Sequence, residues 1–109
     1  MARRYASRWM TEELGVFRRD VRQFVGEQFV PRQASWRAER GPDAEAWRDA
    51  GAAGLLAPDV PSAYGGAGGS FAHQAIVLEE LARAGVNFGA TVQAIVARYL
   101  IAYGTEDQK

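Results

Sequence analysis

Pro61-Ser62-Ala63-Tyr64-Gly65-Gly66-Ala67-Gly68-Gly69 stands immediately before an amphipathic stretch that contains Glu79-Glu80-Leu81-Ala82-Arg83. Four glycines in five positions exclude a helix or a central strand, since a residue without Cβ lets the chain turn through positive φ or lie against another element. Two readings compete for the run: a nucleotide-binding loop, or a tight connection between helices. A dinucleotide fingerprint needs G-x-G-x-x-G after a strand. From Gly66 the chain reads Gly-Ala-Gly-Gly-Ser-Phe, with Phe71 in the third glycine's place. A P-loop needs Gly-Lys-Ser/Thr, and the single lysine is Lys109, the last residue. A helix beginning at Ser70 still offers free N–H groups to an anion. A turn or packing role is the stronger reading.

Outward from this run the pattern is helical. Leu14, Phe17, Val21, Phe24, Val25 and Phe29 recur at three- and four-residue spacing, one apolar stripe on a helix. Thr11 caps its start, and Glu12 and Glu13 suit the positive end of its dipole. Pro31 is expected to kink or end it, with Ala34 to Arg40 resuming around Trp36 up to a Gly41-Pro42 break. Asp43 caps a second helix carrying Trp47 and Ala50, which stops around Gly51 to Gly54. Leu55-Leu56-Ala57-Pro58 reads as buried and extended, and Asp59 to Gly69 as a loop. The third helix, capped by Ser70, places Phe71, Ala75, Leu78 and Ala82 on one face with Val77 and Leu81 beside it. After a Gly85–Asn87 turn the fourth carries Val92, Ile95, Val96, Tyr99, Leu100 and Tyr103, and Gly104 ends it. Thr105 and Gln108 then stand at capping-box spacing, so a further helix is expected to begin where the sequence stops. The fold class is all-α, a bundle of about four helices within one domain, residues 1–109.

Composition narrows the chemistry. Lys+Arg and Asp+Glu both number 13, so the chain lacks the basic footprint of a nucleic-acid binder. It has no cysteine, which excludes disulfides, thiolate metal sites and a cysteine nucleophile, and His73 alone cannot build a multi-histidine metal site. Met1-Ala2-Arg3-Arg4 opens no signal peptide, and no stretch approaches the roughly 18 apolar residues of a membrane span. A soluble, cytoplasmic protein is expected. Glu79 and Glu80 point about 100° apart on a helix, so they are not a facing acid–base pair. One is expected in solvent, the other paired with Arg83. Ser70 and His73 lack an evident orienting acid, and His73 reads as a surface residue. Trp36 and Trp47 fall on apolar faces and read as core rather than as base-stacking platforms. No catalytic group and no metal site emerges from these residues.

The order of segments resembles the N-terminal helical domain of the acyl-CoA dehydrogenase family. The matching pieces are Trp47 through Leu56, Pro58-Asp59-Val60-Pro61, Tyr64 through Gly69, Glu79-Glu80-Leu81-Ala82-Arg83-Ala84, and Tyr103-Gly104-Thr105-Glu106-Asp107-Gln108-Lys109. Arg8 to Glu13 and the Ala-Gly-Leu-Leu-Ala-Pro-Asp-Val-Pro string look most like long-chain-type bacterial members. The resemblance implies an FAD flavoenzyme that removes the α and β hydrogens of an acyl-CoA thioester to give a trans-2-enoyl-CoA. It also implies a homo-oligomer that passes electrons to an electron-transferring flavoprotein. In the family, the catalytic glutamate and most FAD contacts lie beyond the segment matched by Lys109. The resemblance therefore reads this chain as a truncated domain and assigns it no catalytic or cofactor-binding residue. It does imply an acyl-pocket end on the fourth helix, where Asn87, Thr91 and Ile95 share one face at i, i+4, i+8; plain interdomain packing is the competing reading. The alternative from another class is a non-catalytic helical interaction module, or the partner subunit of a split dehydrogenase. Related flavin oxidases and monooxygenases share this domain.

Overall fold

The computed structural model describes residues 8–39, 41–86, 88 and 90–109, with the side chains of 90–93 outside that set. Every regular element among the described residues is helical: α1 (Glu12–Phe24), α2 (Gln33–Ala38), α3 (Ala44–Ala52), α4 (Phe71–Arg83) and α5 (Ala90–Tyr103). The first two belong to one bent rod, so the described residues form four rods, as the sequence pattern leads one to expect.

Thr11 is extended and its Oγ1 accepts the Leu14 N–H at 3.2 Å, starting α1 with Glu12 and Glu13 in the first turn. Around Pro31 the α-helical pitch is lost, as the proline leads one to expect, although the chain continues helically from α1 into α2. Ahead of the proline the helix widens into a π-helical turn at Val25–Phe29, and Val30–Arg32 then tightens to 3-10 pitch before α2. Proline lacks an N–H and crowds the carbonyl four residues back; this change of pitch absorbs both defects. It also leaves Val25 and Phe29 buried together.

Asp43 starts α3, its Oδ1 accepting the Ala46 N–H at 2.8 Å. Ala46 and Ala50, one turn apart, are wholly buried, and without bulk at those positions α3 seats close to the core. The core is largely aromatic. Phe29 meets Phe24 and Trp36 edge-on at 5.0 and 5.2 Å and stacks on Phe88 at 4.7 Å, while Trp47 covers Phe88 at 4.3 Å.

The segment from Leu55 to Pro58 is not extended, contrary to the sequence expectation. Leu55 and Pro58 are buried, but Ala57 sits at φ +50°, in the left-handed region. Its carbonyl accepts from both Val60 N–H (3.2 Å) and Ala67 N–H (3.4 Å), tying the two ends of the loop together. A short 3-10 turn, Ser62–Tyr64, precedes the glycines. The need for small residues there is steric. A Cβ on Gly66 would run into the Val60 carbonyl oxygen, and one on Gly69 would lie 2.6 Å from the Pro58 carbonyl oxygen. Gly66→Ala is therefore expected to cost about 1–3 kcal/mol through backbone overpacking. Gly15→Ala in α1, where a Cβ meets nothing within 4 Å, should instead gain about 0.5–1 kcal/mol. Urea denaturation of the two variants reads both signs.

On α4 the buried face differs from the one read in the sequence. Gln74, Ile76, Val77, Glu80 and Leu81 are buried, whereas Phe71 and Ala82 are exposed and Ala75 and Leu78 half-buried. The face against α1 is chosen by what α1 offers, which includes two arginines for Glu80. At the far end, Gly104 N–H closes α5 on Leu100 O at 2.8 Å. The Thr105–Gln108 box forms as expected, Thr105 N–H donating to Gln108 Oε1 (2.9 Å) and Gln108 N–H to Thr105 Oγ1 (3.3 Å).

Candidate functional site

Two places concentrate chemistry-bearing side chains: the carboxylates of α4 and the cleft between the post-α3 loop, α4 and α5. On α4, Glu80 is buried and holds three guanidinium groups. Arg22 donates to it through Nε at 2.7 Å, Arg18 through Nη1 at 2.7 Å, and Arg83 through Nε at 3.3 Å. Glu79 is exposed and takes the other arm of Arg18 at 2.8 Å. The expected partner Arg83 is thus present, but Arg18 and Arg22, some sixty residues earlier, hold the shorter bonds. Burial alone would push the Glu80 carboxyl up, but the hydrogen bonds from Arg22 and Arg18 overcome it and hold it down at about 2. The same bond pushes the Arg22 guanidinium up. A carboxylate so acidic is a weak base, and its oxygens are already occupied; this is a structural anchor rather than a proton acceptor.

His73 accepts the Ser70 N–H on Nδ1 at 3.0 Å and meets the Phe17 ring edge-on at 4.9 Å. It is half-buried rather than a plain surface residue, and its ring nitrogen is spent on capping α4. No carboxylate stands behind it among the described residues, so the Ser70–His73 pair is no catalytic dyad.

The glycine run settles whether these residues fit the flavin dinucleotide that the resemblance implies. Its five amides all donate inside the loop: Gly65 to Ser62 O, Gly66 to Pro61 O, Ala67 to Ala57 O, Gly68 to Val60 O and Gly69 to Pro58 O, at 2.8–3.4 Å. A phosphate cradle needs such groups free and convergent. The run does not fit the pyrophosphate of FAD. Among the described residues no group of three potential metal ligands gathers either, and no helix is long and apolar enough to cross a membrane.

The cleft is open, about 790 Å³, with Asp59, Phe71, Ile95, Arg98, Tyr99 and Tyr103 among its lining. Arg98 pairs with Asp59 at 3.2 Å and lies 4.6 Å over the Phe71 ring, so the cation is neutralised and its flat face covers an aromatic. Of the three residues expected at an acyl-pocket end, Ile95 stands on this wall, half exposed. Asn87 lies outside the described residues; Thr91 lies on α5, with its side chain outside the described set. Asp59, Phe71 and Arg98 were not read as site residues from the sequence. Nothing local marks them, since 39 residues separate the ion pair.

Beside the cleft, Tyr64 donates to Glu106 Oε2 at 2.8 Å, which pushes its phenol up, and Lys109 lies 5.4 Å over the same ring. These contacts pin the turn after α5 to the loop before the glycines.

Comparison with known proteins places this arrangement. Residues 11–109 match the family model described as acyl-CoA dehydrogenase, N-terminal domain. The long-chain specific acyl-CoA dehydrogenase, mitochondrial, of Sus scrofa is 36% identical over 104 residues, 93% of this chain and 24% of that protein. The Mus musculus protein of the same name is 33% identical over the same shares. The crystal structure of an acyl-CoA dehydrogenase from Geobacillus kaustophilus superposes with a TM-score of 0.83 at 30% identity, over 95% of this chain and 28% of that one. The chain thus spans about a quarter of the length of the curated relatives it matches. With the capped helices, the glycine-run loop and the α4 helix all in the family's order, the chain belongs to the acyl-CoA dehydrogenase family, as its N-terminal helical domain.

Proposed function

We propose that this chain serves FAD-dependent α,β-dehydrogenation of an acyl-CoA thioester to the trans-2-enoyl-CoA, in cytoplasmic fatty-acid β-oxidation. Its part is a helical wall for the acyl chain. The observation that carries this reading is an open cleft, bordered by Ile95 and Phe71 and holding a paired Arg98 and Asp59, on a chain that follows the family along residues 11–109. In this reading the catalytic base and most FAD contacts are supplied by polypeptide outside these 109 residues; consistent with that, Glu80 is locked by arginines and the glycine-run amides bond within their own loop. An acyl tail needs largely apolar walls with no unpaired charge, and Arg98 in the cleft is paired with Asp59. Ile95 supplies such a wall, and Asn87 and Thr91, eight and four residues before it in the sequence, are proposed to share the pocket end. The complete assembly is a homo-oligomer that hands electrons to an electron-transferring flavoprotein.

A chimera tests this, with residues 11–109 replacing the matching segment of the Geobacillus kaustophilus enzyme. It should retain bound flavin, and its flavin absorbance should bleach on addition of an acyl-CoA. The 109-residue chain alone, mixed with FAD and desalted, should carry no flavin band. In the chimera, Ile95→Ala should raise kcat/KM for longer acyl chains relative to shorter ones by up to roughly 10-fold. A chimera that folds and holds FAD but leaves acyl-CoA untouched overturns the enzymatic reading. It would favour an interaction module instead.

A further inference from the structure

We draw no further inference here: the strongest candidate, the side-chain cluster of Arg18, Arg22 and Arg83 where α1 meets α4, belongs to the Glu80 anchor already described, and nothing in the structure shows what would engage its remaining donors.

Discussion

Phe29→Ala should remove about 3–5 kcal/mol of stability, the range for emptying a fully buried aromatic site. A domain of this size holds about 5–15 kcal/mol in total, so the variant stands near the edge of folding. Phe29 has no exposed surface and touches Phe24, Trp36 and Phe88 at once. Through Phe88 it reaches Trp47 on α3. One ring therefore joins the first rod, α3 and the approach to α5. Its neighbours are held by the backbone of separate helices and cannot all collapse into the vacancy, so the cavity contribution persists. Urea denaturation followed by tryptophan fluorescence reads the loss, since Trp36 and Trp47 both report on this cluster. Phe71→Ala is the matched comparison. That ring is more than half exposed, and its removal should cost less than about 1 kcal/mol. Equal losses at the two positions would show that the aromatic cluster does not hold the rods together.

What could be read from the sequence was local. Thr11, Asp43 and the Thr105–Gln108 pair all do the capping expected of them, because a cap is a bond between residues three apart and needs no knowledge of the rest of the fold. The demand for small residues in the glycine run was also legible, though not which neighbours impose it. What failed was set at long range. Ala57 turns left-handed because its carbonyl must serve an amide ten residues later. Nothing in Leu-Leu-Ala-Pro announces that demand.

The face of α4 failed for a related reason. An apolar-only reading centres the buried face on Phe71, Ala75, Leu78 and Ala82 with Val77 and Leu81 beside it; Val77 and Leu81 are buried, but a buried glutamate contradicts the rule until its arginines are known. Those arginines stand on another helix. The cleft was illegible in the same way, since Asp59, Phe71 and Arg98 come from three separate elements. The family was nevertheless legible, because it is written in the order of short motifs rather than in any contact between them.

Glu80→Gln should destabilise the chain by about 3 kcal/mol at neutral pH, and the loss should shrink in acid. The folded carboxyl sits at about 2 against an ordinary 4.5, and each unit of difference corresponds to about 1.4 kcal/mol. The side chain is 1% exposed while Arg18 and Arg22 are 21% and 38% exposed, so the buried member of the cluster is the anion. Removing its charge leaves three arginines that can turn partly to water, which holds the cost at the lower end of the range for breaking a buried pair. Because the folded value lies below the unfolded one, the contribution is complete above pH about 5 and disappears as pH falls through 4.5 toward 2. Urea titrations at neutral pH and near pH 3 should therefore show the wild type losing much of its advantage over Glu80→Gln in acid. Arg83→Ala, which removes the longest and most exposed of the three bonds, should cost less than about 1 kcal/mol. A double replacement, Arg22→Leu with Glu80→Leu, should recover part of the loss, since well-packed apolar residues can replace a buried ion pair at little cost. A pH-independent difference between wild type and Glu80→Gln would mean that packing rather than charge fixes α4 against α1.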